Sequence, residues 1–164
     1  MKTVVLPGVL LGALVAAWTF AMGFTGWYRH PTLQALFFLV IVIQIGVLVW
    51  ALRRNAKDGP GYGKQVGRGI MISVVGGVLV VGSSLLFTTV AFPHYFEELR
   101  AIHVEMLRQA GKRDDEIKAL VDAAGAMQTP VAQALAGFAG TVVTGLVASL
   151  VIALFARGKK PPSK

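Results

Sequence analysis

Polar and apolar positions are segregated along this chain in long blocks. Residues 3–28, 31–52, 69–96 and 123–156 contain no Asp, Glu, Lys or Arg. An α-helix rises about 1.5 Å per residue, so about 20 apolar residues cross a ~30 Å hydrocarbon layer. Each block is long enough, and the pattern predicts transmembrane helices at 4–24, 32–52, 70–92 and 133–156. A helix is the expected form because a lone strand in lipid leaves its backbone N–H and C=O groups unpaired. The first apolar run is longer than the ~7–15 residues of a signal-peptide core, and no clear A-x-A site follows it, so it reads as a retained span.

A different rhythm holds between spans three and four, in the outer loop 93–132. Tyr95, Leu99, Ile102, Met106 and Ala110 recur at helical spacing, while Glu97, Arg100, Glu105 and Arg108 fall mostly off that face. Gly111 interrupts the pattern. Asp114 then reads as the N-cap of a second short helix bearing Ile117, Leu120, Val121 and Ala124, with Asp114–Lys118 as a favourable i,i+4 pair. Thr129-Pro130 reads as the cap and first residue of the last long helix. The expected fold is therefore an all-α membrane protein: one integral domain over 1–164, with four transmembrane helices and two short amphipathic helices in the outer loop.

Composition sharpens this picture. The chain is 55% hydrophobic and 15% charged, against about 25% charged in soluble domains. No cysteine is present, which removes disulfides, thiolate metal sites and cysteine nucleophiles together. The net charge of +8 would suggest nucleic acid in a soluble protein, but here the basic residues are read against the membrane and no nucleic-acid partner is expected. With the N-terminus inside, the inner side holds Lys2, Arg53, Arg54, Lys57, Lys64, Arg68, Arg157, Lys159, Lys160 and Lys164 against the lone acid Asp58. The positive-inside rule then predicts that both termini are cytoplasmic. Trp27, Tyr28, Trp50, Tyr95 and the neighbouring phenylalanines sit where spans meet headgroups; Trp18 is expected inside.

Candidate chemistry is sparse. No ionisable residue lies in the middle of any span, whereas proton relays and ion-coupled transporters usually place one there. Gln44 is the strongly polar residue near a span centre. It is expected to hydrogen-bond a Ser or Thr across helices, or else to line a pore. His94 and His103 are nine positions apart and match one helix face poorly, so no metal or other cofactor is implied. Gly59-Pro60-Gly61-Tyr62-Gly63-Lys64 lacks the spacing, the following Ser or Thr and the preceding strand of a phosphate loop. In the inner loop 53–69, Arg53, Arg54, Lys57, Lys64 and Arg68 read as lipid-headgroup anchors.

Small residues recur every fourth position: Gly8, Gly12 and Ala16 in the first span; Ala136, Gly140, Thr144 and Ala148, and beside them Gly137, Thr141, Gly145 and Ser149, in the last. Such ridges let helix backbones approach closely. Gly8, Gly12, Ala136, Gly140, Thr144 and Gly145 are the expected helix-packing positions, either within one bundle or at a dimer face.

Three stretches resemble an uncharacterised bacterial four-helix membrane family, catalogued as domain of unknown function forty-one ninety-nine. They are Gly61-Tyr62-Gly63-Lys64 with Gly69, Pro93 to Gly111 with Asp115-Glu116-Ile117, and Gly145-Leu146-Val147-Ala148-Ser149-Leu150. Gly67 departs from the pattern, where a larger residue is usual. The resemblance implies a four-span bacterial inner-membrane protein and supplies no activity. The residues themselves favour a non-catalytic accessory or scaffold subunit, with membrane lipids and a second copy or another membrane protein as partners. A small oligomeric channel or transporter is the alternative.

Overall fold

The computed structural model describes residues 2–56, 61–125 and 127–155. The headgroup candidate Lys57 lies outside them, as do Asp58, Arg157, Lys159, Lys160 and Lys164. Six α-helices are described: α1 (Lys2–Thr25), α2 (Leu39–Ala56), α3 (Tyr62–Leu86), α4 (Tyr95–Gln109), α5 (Asp114–Gly125) and α6 (Pro130–Phe155). Short 3₁₀ turns at Trp27–Arg29 and Leu33–Phe38 lead into α2. Four helical segments are long and apolar enough to cross a membrane: Lys2–Thr25, Leu33–Arg54, Tyr62–Ala91 and Pro130–Phe155.

Helix and span are not coextensive. α3 begins at Tyr62, eight positions before the expected span, so Lys64 and Arg68 ride its first turns. Helical hydrogen bonding continues past the hydrocarbon edge because nothing in Tyr62–Gly69 breaks it. At the other end α3 widens, with Phe92 N–H donating to the Phe87 carbonyl at 2.8 Å, an i→i−5 bond. Such π turns interrupt a regular helix at specific sites. Here it turns Phe87 and Phe92 towards Gly23 of α1, where a β-carbon would stand 2.5 Å from the Phe87 ring and 2.6 Å from Phe92.

The spans pack as an up-and-down bundle, with α3 making its most extensive contacts on α1 and α6. α1 and α3 run parallel: a β-carbon at Gly8 would meet Val75 at 2.6 Å, and one at Gly12 would meet Leu79 at 2.5 Å. α3 and α6 run antiparallel and share a reciprocal notch. Ser149 sits over Gly69, and Ser73 sits over Gly145, each leaving no room for a β-carbon opposite. Core side chains at this level, Leu48, Leu52 and Ile72, are fully buried.

The solvent-facing pattern of a soluble protein is inverted. Val42 is 62% exposed, Val143 59% and Leu154 52%, whereas Gln44, Gln65, Ser73, Thr88 and Ser149 are buried. An outer surface this apolar requires hydrocarbon rather than water around it.

The connection from α3 to α6 caps one end of the bundle. α4 ends where Gly111 adopts φ +75°, with Gly111 N–H on the Arg108 carbonyl and Lys112 N–H on that of Leu107. Glycine takes this left-handed conformation without a β-carbon clash. Asp114 is not the cap of α5: Ile117 N–H bonds the Arg113 carbonyl, which makes Asp114 the first helical residue. Nor does it pair with Lys118. Its carboxylate lies 3.9 Å from Arg108, and Asp114, Asp115 and Glu116 together face the positive end of α5. Thr129 does cap α6, its hydroxyl accepting from Ala132 N–H at 3.2 Å.

Candidate functional site

On the capped half of the bundle the spans part around a cavity of about 500 Å³. α1 contributes Val15 and Thr19, α2 contributes Gln44, and α3 contributes Val80, Ser83 and Ser84. The α6 wall is Ala136, Gly140, Thr141 and Thr144, with Phe37, Phe38 and Phe87 as aromatic flanks. A second compartment of about 460 Å³ shares Thr19, Phe37, Phe38, Phe87, Tyr95 and Gln133 with it and continues beneath α4 towards Tyr28, Leu99 and His103. No Asp, Glu, Lys, Arg or His lines the deeper compartment among the described residues.

Gln44 forms its floor at 5% exposure. Its Nε2 donates to the Thr141 backbone carbonyl at 2.5 Å. The partner is thus a main-chain oxygen and not a Ser or Thr hydroxyl, because Thr141 turns its own hydroxyl back onto the Gly137 carbonyl at 2.8 Å. Gly145 makes this possible. It lies one turn beyond Thr141, and a β-carbon there would stand 3.2 Å from Gln44 Nε2. A single glycine therefore opens a carbonyl to α2 and seats Ser73 of α3.

The small-residue positions separate by environment. Gly8, Gly12 and Gly145 are buried at helix contacts. Ala136 and Gly140 are exposed, and no atom lies within 4 Å of a β-carbon at Gly140. Within one chain Ala136, Gly140 and Thr144 line the cavity, and Gly140 meets no neighbouring helix. Their spacing matched that of a packing ridge because a cavity wall and a helix contact both need small side chains along one face of α6.

Above the cavity a polar cluster ties α4 to the end of α1. Tyr28 donates its hydroxyl to Glu98 Oε2 at 2.5 Å. Arg29 donates to the same carboxylate twice, from Nε to Oε2 at 2.9 Å and from Nη2 to Oε1 at 3.0 Å. The Tyr28 hydrogen bond, followed by Arg29, holds the Glu98 carboxyl below the usual range despite some desolvation. Burial pushes the Tyr28 phenol up, helped by Glu98. Burial likewise raises Tyr95, against a hydrogen bond from Gln133. The Tyr28 and Tyr95 rings also meet at a tilt, 5.2 Å between centroids. Sequence reasoning placed Tyr28 at an interface but did not find this cluster, since its members are about 70 positions apart and follow no local spacing.

At the opposite end, Arg53 and Arg54 lie exposed in the last turn of α2. Arg54 rests 5.8 Å above the Trp50 ring, and Lys64 is exposed nearby on α3. Arg68 is half-buried, its Nη1 without a partner among the described residues. Trp18 is half-buried and donates to the Leu36 carbonyl at 3.1 Å. His94 pairs with exposed Glu97 at 3.1 Å, while His103 lines the second compartment.

Four apolar spans, an inverted surface and a buried intramembrane amide define a polytopic α-helical membrane protein. Residues 7–158 match the family described as "Protein of unknown function (DUF4199)", and the chain belongs to that family. No curated protein and no solved structure matches it.

Proposed function

We propose that the chain is a non-catalytic accessory or scaffold subunit of the bacterial inner membrane, with both termini cytoplasmic. The supporting observation is the asymmetry of the bundle. The half nearest Arg53 and Lys64 is filled by Leu48, Leu52, Ile72, Ser73 and Ser149, all essentially inaccessible, so the cavity at Gln44 ends at mid-bundle. A conducting path through one chain would have to cross that packed half, and among the described residues no Asp, Glu, Lys, Arg or His lines the cavity that leads to it. The basic residues at the packed end suit an anionic cytoplasmic leaflet, where each is worth about 1 kcal/mol.

Extraction from native membranes in a mild detergent tests the reading. A partner recovered in fixed stoichiometry is the expected result. Solute flux through the purified chain in proteoliposomes would replace the subunit role with that of a channel or transporter.

A further inference from the structure

We infer that the cavity at Gln44 is a binding site for one uncharged, hydroxyl-bearing amphiphile of the long-chain alcohol type, its hydroxyl seated on the Gln44 side chain and its chain lying along Phe37, Phe38 and Phe87. A volume of about 500 Å³ falls within the ~300–1,000 Å³ of small-molecule sites. The walls stand in hydrocarbon, so an amphiphile rather than a water-soluble metabolite is at hand.

The floor sets the chemistry of the head. Gln44 is 95% withdrawn from its surroundings and spends its Nε2 on the Thr141 carbonyl, yet among the described residues its Oε1 accepts no hydrogen bond. That nitrogen must face a carbonyl, which fixes the oxygen as the free end. On the α6 wall, among the described residues, the Thr144 hydroxyl forms no hydrogen bond either. Thr19, Ser83, Thr88 and Thr141 all bond back to their own helices at 2.8–3.1 Å. In lipid that return bond is the ordinary way for a hydroxyl to be satisfied. Ser73 and Ser149 lack it in the packed half, where both are fully buried, whereas Thr144 lacks it on a wall of the cavity that also holds the unmet Gln44 oxygen, and there a ligand head completes the set. Gln44 Oε1 needs a donor, while Thr144 offers a hydroxyl that donates as well as accepts. A ligand hydroxyl meets both demands; a ketone or ester carbonyl meets only the second. An ionised head finds no counter-charge in the compartment, and the acyl tail of a phospholipid, whose headgroup stays at the interface, brings no donor to this depth. The site stands independently of the subunit role.

The full chain in phosphatidylcholine nanodiscs, labelled with a diazirine derivative of hexadecanol, tests this. Labelling is expected to saturate, to concentrate on the α2 and α6 residues around Gln44, and to be competed by unlabelled hexadecanol but not by hexadecane or ionised palmitate. Thr144→Val should weaken competition about fivefold, one hydrogen bond's worth. Gly140→Leu should abolish saturable labelling while leaving the fold intact, because its side chain enters open space. Labelling that does not saturate, that spreads evenly to the lipid-facing Val42 and Val143, or that ignores both variants would overturn the site, leaving the cavity to water or bulk lipid.

Discussion

Gly145 carries three neighbours at once: Ser73 in its notch, Gln44 at its edge, and the Thr141 carbonyl one turn before it. Gly69 stands in the same relation to Ser149. A branched side chain at either position must push a serine-bearing helix away, and overpacking of this kind costs about 1–3 kcal/mol or more. Gly145→Val and Gly69→Val should therefore lower the thermal midpoint in detergent clearly, whereas Gly140→Val should leave it nearly unchanged. Equal losses at all three would mean that the α6 ridges are not divided between contact and cavity. Glycine spacing alone displayed Gly140 and Gly145 as equivalent. Which of them met a neighbour depended on the rotation of α6, and that is set by α3.

Glu98 gives a prediction with a sign. Its folded carboxyl titrates below the ordinary value, principally through Tyr28 and then Arg29. The contribution to stability is therefore complete above the ordinary carboxylate pKa and is lost as pH falls through the depressed one. Thermal midpoints measured from neutral to acid pH should decline, and Glu98→Gln should lower the neutral midpoint while flattening that decline. An unaltered acid slope would remove Glu98 as its source.

Among the elements, α4 depends most on long-range partners. None of its residues is fully buried, Tyr95 being half-buried, and its ties to the end of α1 are the Glu98 cluster and the tilted Tyr28–Tyr95 ring contact. Segments with few buried contacts open at low free energy. Tyr28→Phe should accordingly speed amide exchange across Tyr95–Gln109, leaving α1 and α3 protected; uniform exchange with the wild type would show that the cap is held some other way. The four apolar blocks were legible because a span needs a long uncharged run and tolerates little else. Their helical ends were not. Hydrophobicity reports where hydrocarbon stops, while hydrogen bonding decided that α3 starts at Tyr62 and that Phe87–Ala91 widens into a π turn. The Asp114 cap failed for a related reason: an acidic residue favours both the cap and the first turn, and the backbone bond from Ile117 to Arg113 selected the turn.

For the whole molecule, the ends carrying Arg54 and Gly111 lie on opposite faces of the bundle. In this thiol-free chain, single cysteines at Arg54 and Gly111 should react with an impermeant maleimide from opposite sides of oriented vesicles, the Arg54 position from the cytoplasmic side. Reaction of the Arg54 position from outside would reverse the proposed orientation. Four membrane-crossing helices, their order and the absence of charge at depth could be read without coordinates, because the cost of placing polar groups in hydrocarbon constrains each span separately. The reciprocal serine–glycine notches, the Gln44 bond to a main-chain oxygen, the Glu98 clamp and the half-depth cavity could not. Each joins residues far apart in the chain, and only the rotation and splay of packed helices determine whether such residues meet or leave a space between them.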